Sequence, residues 1–237
     1  MFQWDSVMKS AIKRTFFYSV ARRVAHLLRI RRASVFNSSM YLEPIQDVEE
    51  WEKKGRPVPP PHLVKQKTVK EYAAKFSTGV FVETGTYLGD MVSAMKDSFH
   101  RIVSIELDVN LYRRAKRRFE GSDNILILQG DSSEELPRLL ANIGEPCLFW
   151  LDGHYCHYPG GKTAKGALET PIMEELKCIL GHSVAGHIIL IDDARLFLGD
   201  NDYPTLEEVQ CLVQERRPDW VFEVQDDIIR TYERQYG

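Results

Sequence analysis

The stretch Val80-Phe81-Val82-Glu83-Thr84-Gly85-Thr86-Tyr87-Leu88-Gly89-Asp90 constrains the fold of this chain more than any other. An apolar run ends in an acid, and two glycines four residues apart then bracket a short turn. The residues from Met91 to Phe99 follow with helical character. This is the pattern of a buried parallel strand turning tightly into a helix, with glycine where the backbone must bend or let something approach. A small molecule is expected at the carboxyl end of such a strand.

The pattern then repeats. Strands are predicted at 80–84, 101–106, 124–129, 147–152 and 187–192. Helical stretches at 89–99, 109–120, 132–142 and 170–180 fall between them, with further helices at 62–76 and 205–216. Strand–helix alternation implies a mostly parallel sheet with helices on both faces. The tail departs from it. Trp220 to Gln225, Asp226-Asp227 and Ile228 to Tyr232 predict two strands joined by a tight turn. Five strands and this antiparallel hairpin make a seven-stranded α/β sheet.

The charge is uneven along the chain. Residues 1–40 hold eight Lys and Arg and a single acid, Asp5, although the whole chain nets −3. The larger part is therefore acidic, and no nucleic-acid partner is expected for it. Within the basic part, Met8, Ile12, Phe16, Val20, Val24 and Leu27 make one apolar stripe over residues 7–32. Such a helix packs on its own domain, on a second copy in a homo-oligomer, or as a peripheral contact on an anionic membrane surface. An Arg-rich, acid-poor start also fits an organellar transit peptide. Arg56-Pro57-Val58-Pro59-Pro60-Pro61 must be extended. Residues 33–62 are thus expected to form an irregular strap, giving an N-terminal region 1–62 and a main domain 63–237. No run approaches the roughly 20 apolar residues of a membrane span. The four cysteines form no CxxC pair, which favours free thiols and a cytoplasmic protein, membrane-associated if the N-terminal stripe meets lipid.

Acids stand at the carboxyl ends of successive predicted strands: Glu83, Glu106, Asp131, Asp152, and Asp192 with Asp193. In an open α/β sheet these ends line one crevice. Each acid alone has a plainer use as a helix cap, and Asp131 before Ser132-Ser133 fits that use well. Glu106 lies where an acid holds two ribose hydroxyls in nucleotide-type sites. The turn Thr84 to Gly89 has two glycines rather than the three of a dinucleotide fingerprint. It suits a nucleoside without a diphosphate better than a nicotinamide cofactor. A nicotinamide-dependent oxidoreductase and a non-catalytic nucleoside-binding module are the alternatives to a transferase.

At this point the chain resembles a known family. Glu83-Thr84-Gly85-Thr86-Tyr87-Leu88-Gly89 is similar to motif I of class I S-adenosylmethionine-dependent methyltransferases, in the form used by catechol, caffeoyl-CoA and macrolide-sugar O-methyltransferases. Ile105-Glu106, Gln129-Gly130-Asp131-Ser132, Phe149-Trp150-Leu151-Asp152 and Leu190-Ile191-Asp192-Asp193 continue the likeness in order over roughly 63–237. The resemblance implies a Rossmann-like fold, S-adenosylmethionine as cofactor and O-methylation of a hydroxylated small molecule, sugar or glycan. It implies cofactor contacts from Glu83, Gly85, Thr86, Tyr87, Gly89, Glu106, Asp131, Ser132 and Asp152. It further implies Asp152, Asp192 and Asp193 as ligands of Mg²⁺ or another divalent cation that activates the acceptor hydroxyl. Two departures stand out. Asp193 occupies a position usually held by Asn. The lysine base that follows the first metal acid in catechol-type enzymes is missing, since Gly153-His154-Tyr155 follows Asp152. His154 is the candidate base beside Asp152, with His157 and Lys162 as weaker substitutes. The Gly-rich stretch 155–169, with Lys162 and Lys165, is expected to cover the acceptor.

Overall fold

This computed structural model describes residues 47–153 and 170–234, together with the backbone of 157–158 and 161–162. Its sheet contains β1 (Val80–Thr84), β2 (Arg101–Glu106), β3 (Ile125–Gln129), β4 (Cys147–Leu151), β7 (Ile188–Ile191), β8 (Trp220–Gln225) and β9 (Ile228–Glu233). β5 (His157–Tyr158) and β6 (Gly161–Lys162) pair with each other as a separate antiparallel ribbon. The main sheet has the order β3-β2-β1-β4-β7-β9-β8. Its first five strands are parallel, and β9 runs antiparallel to both β7 and β8. The expected mostly parallel, seven-stranded sheet with a C-terminal hairpin is what the chain forms.

Two layers of helix follow from the alternation of side chains along the strands. Val80, Val82, Phe149 and Leu151 point to one face. There they meet α5 (Ser132–Leu140), α6 (Ile172–Leu180) and α7 (Leu206–Arg216). Phe81, Leu148 and Trp150 point to the other and meet α2 (His62–Phe76), α3 (Asp90–Met95) and α4 (Val109–Arg118). Because both faces are covered, β1 and β4 are buried along their whole length, which explains their unbroken apolar character.

Helix ends explain where the sequence expectation ran too long. The stretch 89–99 is helical only to Met95, because the Asn124 amide donates to the Lys96 and Phe99 carbonyls (2.9 and 3.0 Å) and closes the end as a turn. The stretch 170–180 starts at Ile172, since Pro171 serves as the cap and disfavours helical backbone at Thr170. Residues 33–62 were expected to be irregular, yet Val48–Lys53 is a short helix, α1, capped by Asp47. Its Trp51 is 1% exposed and donates its indole N–H to the Pro57 carbonyl (2.7 Å). Arg56 lies over the Trp51 ring and pairs with Asp226 in the β8–β9 turn (3.1 Å). The proline strap is therefore held against the terminal hairpin. The basic stripe at 7–32 lies outside the described residues, and no described helix is long and apolar enough to cross a membrane. Cys147, Cys178 and Cys211 are free thiols.

Candidate active site

Strand order reverses between β1 and β4. β2 and β3 lie to one side of β1, and β4 and β7 to the other, so the crevice of an open α/β sheet opens at the carboxyl ends of β1 and β4. Gly85 and Asp152 meet there. Gly85 adopts φ +84°, and a Cβ on it would stand 2.5 Å from the Asp152 carbonyl oxygen. The backbone amide of Asp152 donates to the Thr84 carbonyl (3.1 Å), and that of Gly85 to Ile105 (2.9 Å). The two chain segments can lie this close because residue 85 has no side chain.

The turn is fixed from below by acids. Glu83 is 2% exposed, and Ser104 Oγ donates to its carboxylate while Thr86 Oγ1 bonds to Ser104. Burial pushes Glu83 well above the ordinary carboxylate range, against the pull of the Ser104 hydrogen bond. The structure thus places Glu83 and Thr86 in a buried chain that braces the turn. Glu106 accepts the amides of Tyr87 (2.7 Å) and Asp108 (2.8 Å), one on each carboxylate oxygen. Burial raises Glu106, and the Asp108 and Tyr87 amides oppose the shift. Tyr87 sits at φ +48°, a costly backbone for an aromatic residue, and the Glu106 bond holds it there, with the residue 42% exposed. At Gly89 (φ +78°) a Cβ would meet the Phe119 ring at 2.8 Å, so packing alone already requires glycine at that position. Asp131 caps α5 by accepting the amide and hydroxyl of Ser133 (3.0 and 2.7 Å), and Ser132 is buried behind it.

The remaining acids do not assemble as a metal centre. Among the described residues there is no group of three His, Cys, Asp or Glu side chains placed to hold a metal ion. The cation beside Asp192 is Lys65, from α2. Its ammonium is bonded to Asp192 and stands 3.5 Å from Asp193 Oδ1. Burial alone would lower Lys65, but Asp192, Asp193 and Asp152 together outweigh it and hold it above its ordinary value. Asp193 is itself in the left-handed region (φ +56°), which turns its carboxylate to Arg195 (2.7 Å). Arg195 is bonded in turn to Asp227. The expected ligand set is thus divided among a lysine, an arginine and the crevice. His154, Lys165 and most of 155–169 lie outside the described residues, as do the side chains of His157 and Lys162.

One acid escaped the sequence reading. Glu175, on α6, is 1% exposed and lines a cavity of about 10 Å³, the room of roughly one water, with Asp152, Gly153, Asp192 and Tyr203. Its Oε1 makes no hydrogen bond among the described residues. Burial lifts its pKa from 4.5 to about 7, with the Ser132 and Thr84 hydroxyls pulling the other way. An acid whose folded pKa lies above its unfolded value is a burden once it ionises. Stability is therefore lost as pH rises from about 4.5 through about 7. Glu175→Gln removes this group. The stability difference between variant and wild type is expected to grow by up to about 3 kcal/mol in favour of the variant across that window. Urea unfolding at several pH values measures it, and a difference independent of pH would contradict the assignment.

No protein-family model matches the chain, and no curated protein sequence matches it. Solved structures do. An O-methyltransferase from Bacillus cereus, determined with S-adenosylhomocysteine, is 13% identical, with a TM-score of 0.53 over 86% of this chain and 97% of its own. TomG from Streptomyces achromogenes, an O-methyltransferase of tomaymycin synthesis determined with S-adenosylmethionine, is 17% identical. It has a TM-score of 0.53 over 85% of this chain and 95% of its own. The methyltransferase PaMTH1 from Podospora anserina, bound to S-adenosylhomocysteine, is 16% identical over 88% and 96%, at a TM-score of 0.50. The fold of this chain is that of the class I S-adenosylmethionine-dependent methyltransferases.

Proposed function

We propose that the chain is an S-adenosylmethionine-dependent methyltransferase that methylates an oxygen of a hydroxylated small molecule or sugar. The observation that carries this is the crevice itself. A glycine turn braced by buried acids, with Glu106 at its floor and Asp152 at its side, lies at the switch point of a sheet whose structural neighbours hold this cofactor or its demethylated product. The residues fit the cofactor. Glu106 has spent one lone pair of each oxygen on a backbone amide and has others to offer ribose hydroxyls. The partly exposed Tyr87 flanks the turn, and Ser132 with the capping Asp131 borders the side expected to take the adenine.

Bound S-adenosylmethionine supplies a methyl group on a sulfonium, an electrophile that a positioned oxygen can take by in-line displacement. The chain supplies position and a proton acceptor. Asp152, partly exposed at the end of β4, accepts the acceptor hydroxyl's hydrogen bond and orients its oxygen, and His154 is the candidate to take the proton. The strap 47–62 belongs with the domain 63–237, to which the Arg56 contact with Asp226 ties it.

Calorimetric titration with S-adenosylhomocysteine tests the cofactor site. Wild type is expected to form a one-to-one complex. Glu106→Ala should weaken it by more than tenfold, about 1.4 kcal/mol or more. Titrating both proteins well below their unfolding temperatures separates lost contacts from lost fold. Absence of binding by the wild type would remove the methyltransferase reading, and an unchanged dissociation constant in the variant would remove the ribose assignment.

A further inference from the structure

The acceptor side of the crevice carries a cation of its own. Lys65 stands at the start of α2, four residues before the fully buried Val69 and seven before Tyr72, on the stripe that faces the sheet. That position carries its side chain inward, so that it is only 14% exposed, against 2% for Asp192 and 9% for Asp193. A lysine at the head of a buried stripe is costly to bury unless a carboxylate receives it. Here two do, from a segment 127 and 128 residues away.

We propose that the Lys65 ammonium takes the place of a divalent cation on Asp192 and Asp193, so that this chain orients its acceptor oxygen without a metal. The proposal deepens the methyltransferase reading and rests on it for the identity of the acceptor site.

Three observations carry it. A divalent ion and an ammonium compete for the same carboxylate oxygens, and Asp192 Oδ2 is bonded to Nζ while Asp192 Oδ1 accepts the Asp193 amide (2.8 Å). Asp193 Oδ1, the oxygen nearest Lys65, also accepts from Arg195, itself anchored on Asp227 through both its guanidinium and its backbone amide (2.8 Å from amide to carboxylate). Moving Asp193 to serve a metal would break that network and take from Arg195 one of its two carboxylates. Finally, an ammonium has three donors. Two face Asp192 and Asp193, and the third, with no partner among the described residues, can serve an acceptor oxygen beside the cavity that Asp152 and Asp192 line. An acceptor with a polarisable or partly anionic hydroxyl suits such a donor.

Manganese binding followed by electron paramagnetic resonance tests this on the full chain after chelator treatment, without knowledge of the acceptor. Wild type is expected to bind Mn²⁺ only weakly. Lys65→Ala leaves Asp152, Asp192 and Asp193 without their ammonium and should bind it at least about tenfold more tightly. Lys65→Arg, which keeps a cation, should stay as weak as wild type. Lys65→Met, which keeps the apolar stem, repeats the alanine result if alanine fails to fold. Tight Mn²⁺ binding by wild type, equal to that of the variants, would overturn the proposal, as would weak binding by both neutral variants. S-adenosylhomocysteine affinity is measured alongside. It should stay within about threefold in every variant, because Lys65 lies on the acceptor side. If wild type does not bind S-adenosylhomocysteine, the methyltransferase reading fails by itself, while the Mn²⁺ contrast still decides what Lys65 replaces.

Discussion

Gly85→Ala is expected to abolish measurable S-adenosylhomocysteine binding and to lower the thermal midpoint by roughly 5–15 °C. Two independent penalties fall on one methyl group. The backbone at residue 85 is left-handed (φ +84°), a region that costs an L-residue about 1–2 kcal/mol. The new Cβ would also lie 2.5 Å from the Asp152 carbonyl oxygen and 2.9 Å from its carbon, contacts with backbone that cannot rotate away. Relief requires β1 and β4 to separate at their carboxyl ends, at about 1–3 kcal/mol for an overpacked site. That separation pulls the turn away from Glu106 and Asp152, so binding suffers more than folding does. The same substitution at Gly55 or Gly121, where no atom lies within 4 Å, carries only the conformational penalty and serves as a control. A Gly85→Ala protein that binds S-adenosylhomocysteine like wild type would show that the crevice lies elsewhere.

The parts of this molecule that were legible in the sequence are those set by short-range pattern. The strand ends of β1 and β4 could be placed because burial on both faces demands unbroken apolar runs, and because the glycine turn after Thr84 has few other uses. The hairpin at Asp226-Asp227 was legible for the same reason, both residues taking the left-handed conformation that a tight turn requires. The acids could be located at the crevice, but not their duties. Glu83 and Asp131 are at strand ends as expected, yet one is buried under the turn and the other caps α5. The cap was already among the readings of Asp131 before Ser132-Ser133, whereas only its partner Ser104 makes the duty of Glu83 visible. Lys65 and Glu175 were illegible because their meaning comes from contacts made far along the chain. Lys65 sits in a run of helix-forming Lys and Gln that looks like a solvated face. Glu175 looks like one of two acids in the first turn of α6, where the helix dipole alone would explain it. A weak signal did exist for Lys65: it shares the three- and four-residue spacing of Val69 and Tyr72, the buried side of its helix.

Asp152→Asn is expected to reduce methyl transfer by about 10²–10⁴-fold while S-adenosylhomocysteine affinity changes by less than about threefold. The crevice contains several carboxylates, and the structure separates their duties. Asp192 is buried and holds Lys65, Asp193 is buried and holds Arg195, and Glu175 is shut beneath the floor. Asp152 alone of the four is partly exposed, at the mouth, where its backbone closes against Gly85 while its side chain lines the cavity with Asp192. It continues β4 by one residue, as Asp192 continues β7, and the Asp192 amide donates to the Leu151 carbonyl (3.0 Å), so the two acids stand side by side on adjacent parallel strands. An oxygen held between Asp152 and the Lys65 ammonium has an acceptor for its hydrogen on one side and a cation for its developing charge on the other. Asparagine keeps the shape of Asp152 and its backbone closure but offers a weaker acceptor and no negative charge, so the loss falls on the rate. The measurement is transfer of labelled methyl from S-adenosylmethionine to a hydroxylated acceptor found by screening, with the cofactor affinity taken in parallel. Lost cofactor affinity at unchanged turnover per bound complex would move Asp152 from the acceptor to the cofactor. The pair formed with Lys65 would then have to act on the acceptor through Asp192 alone.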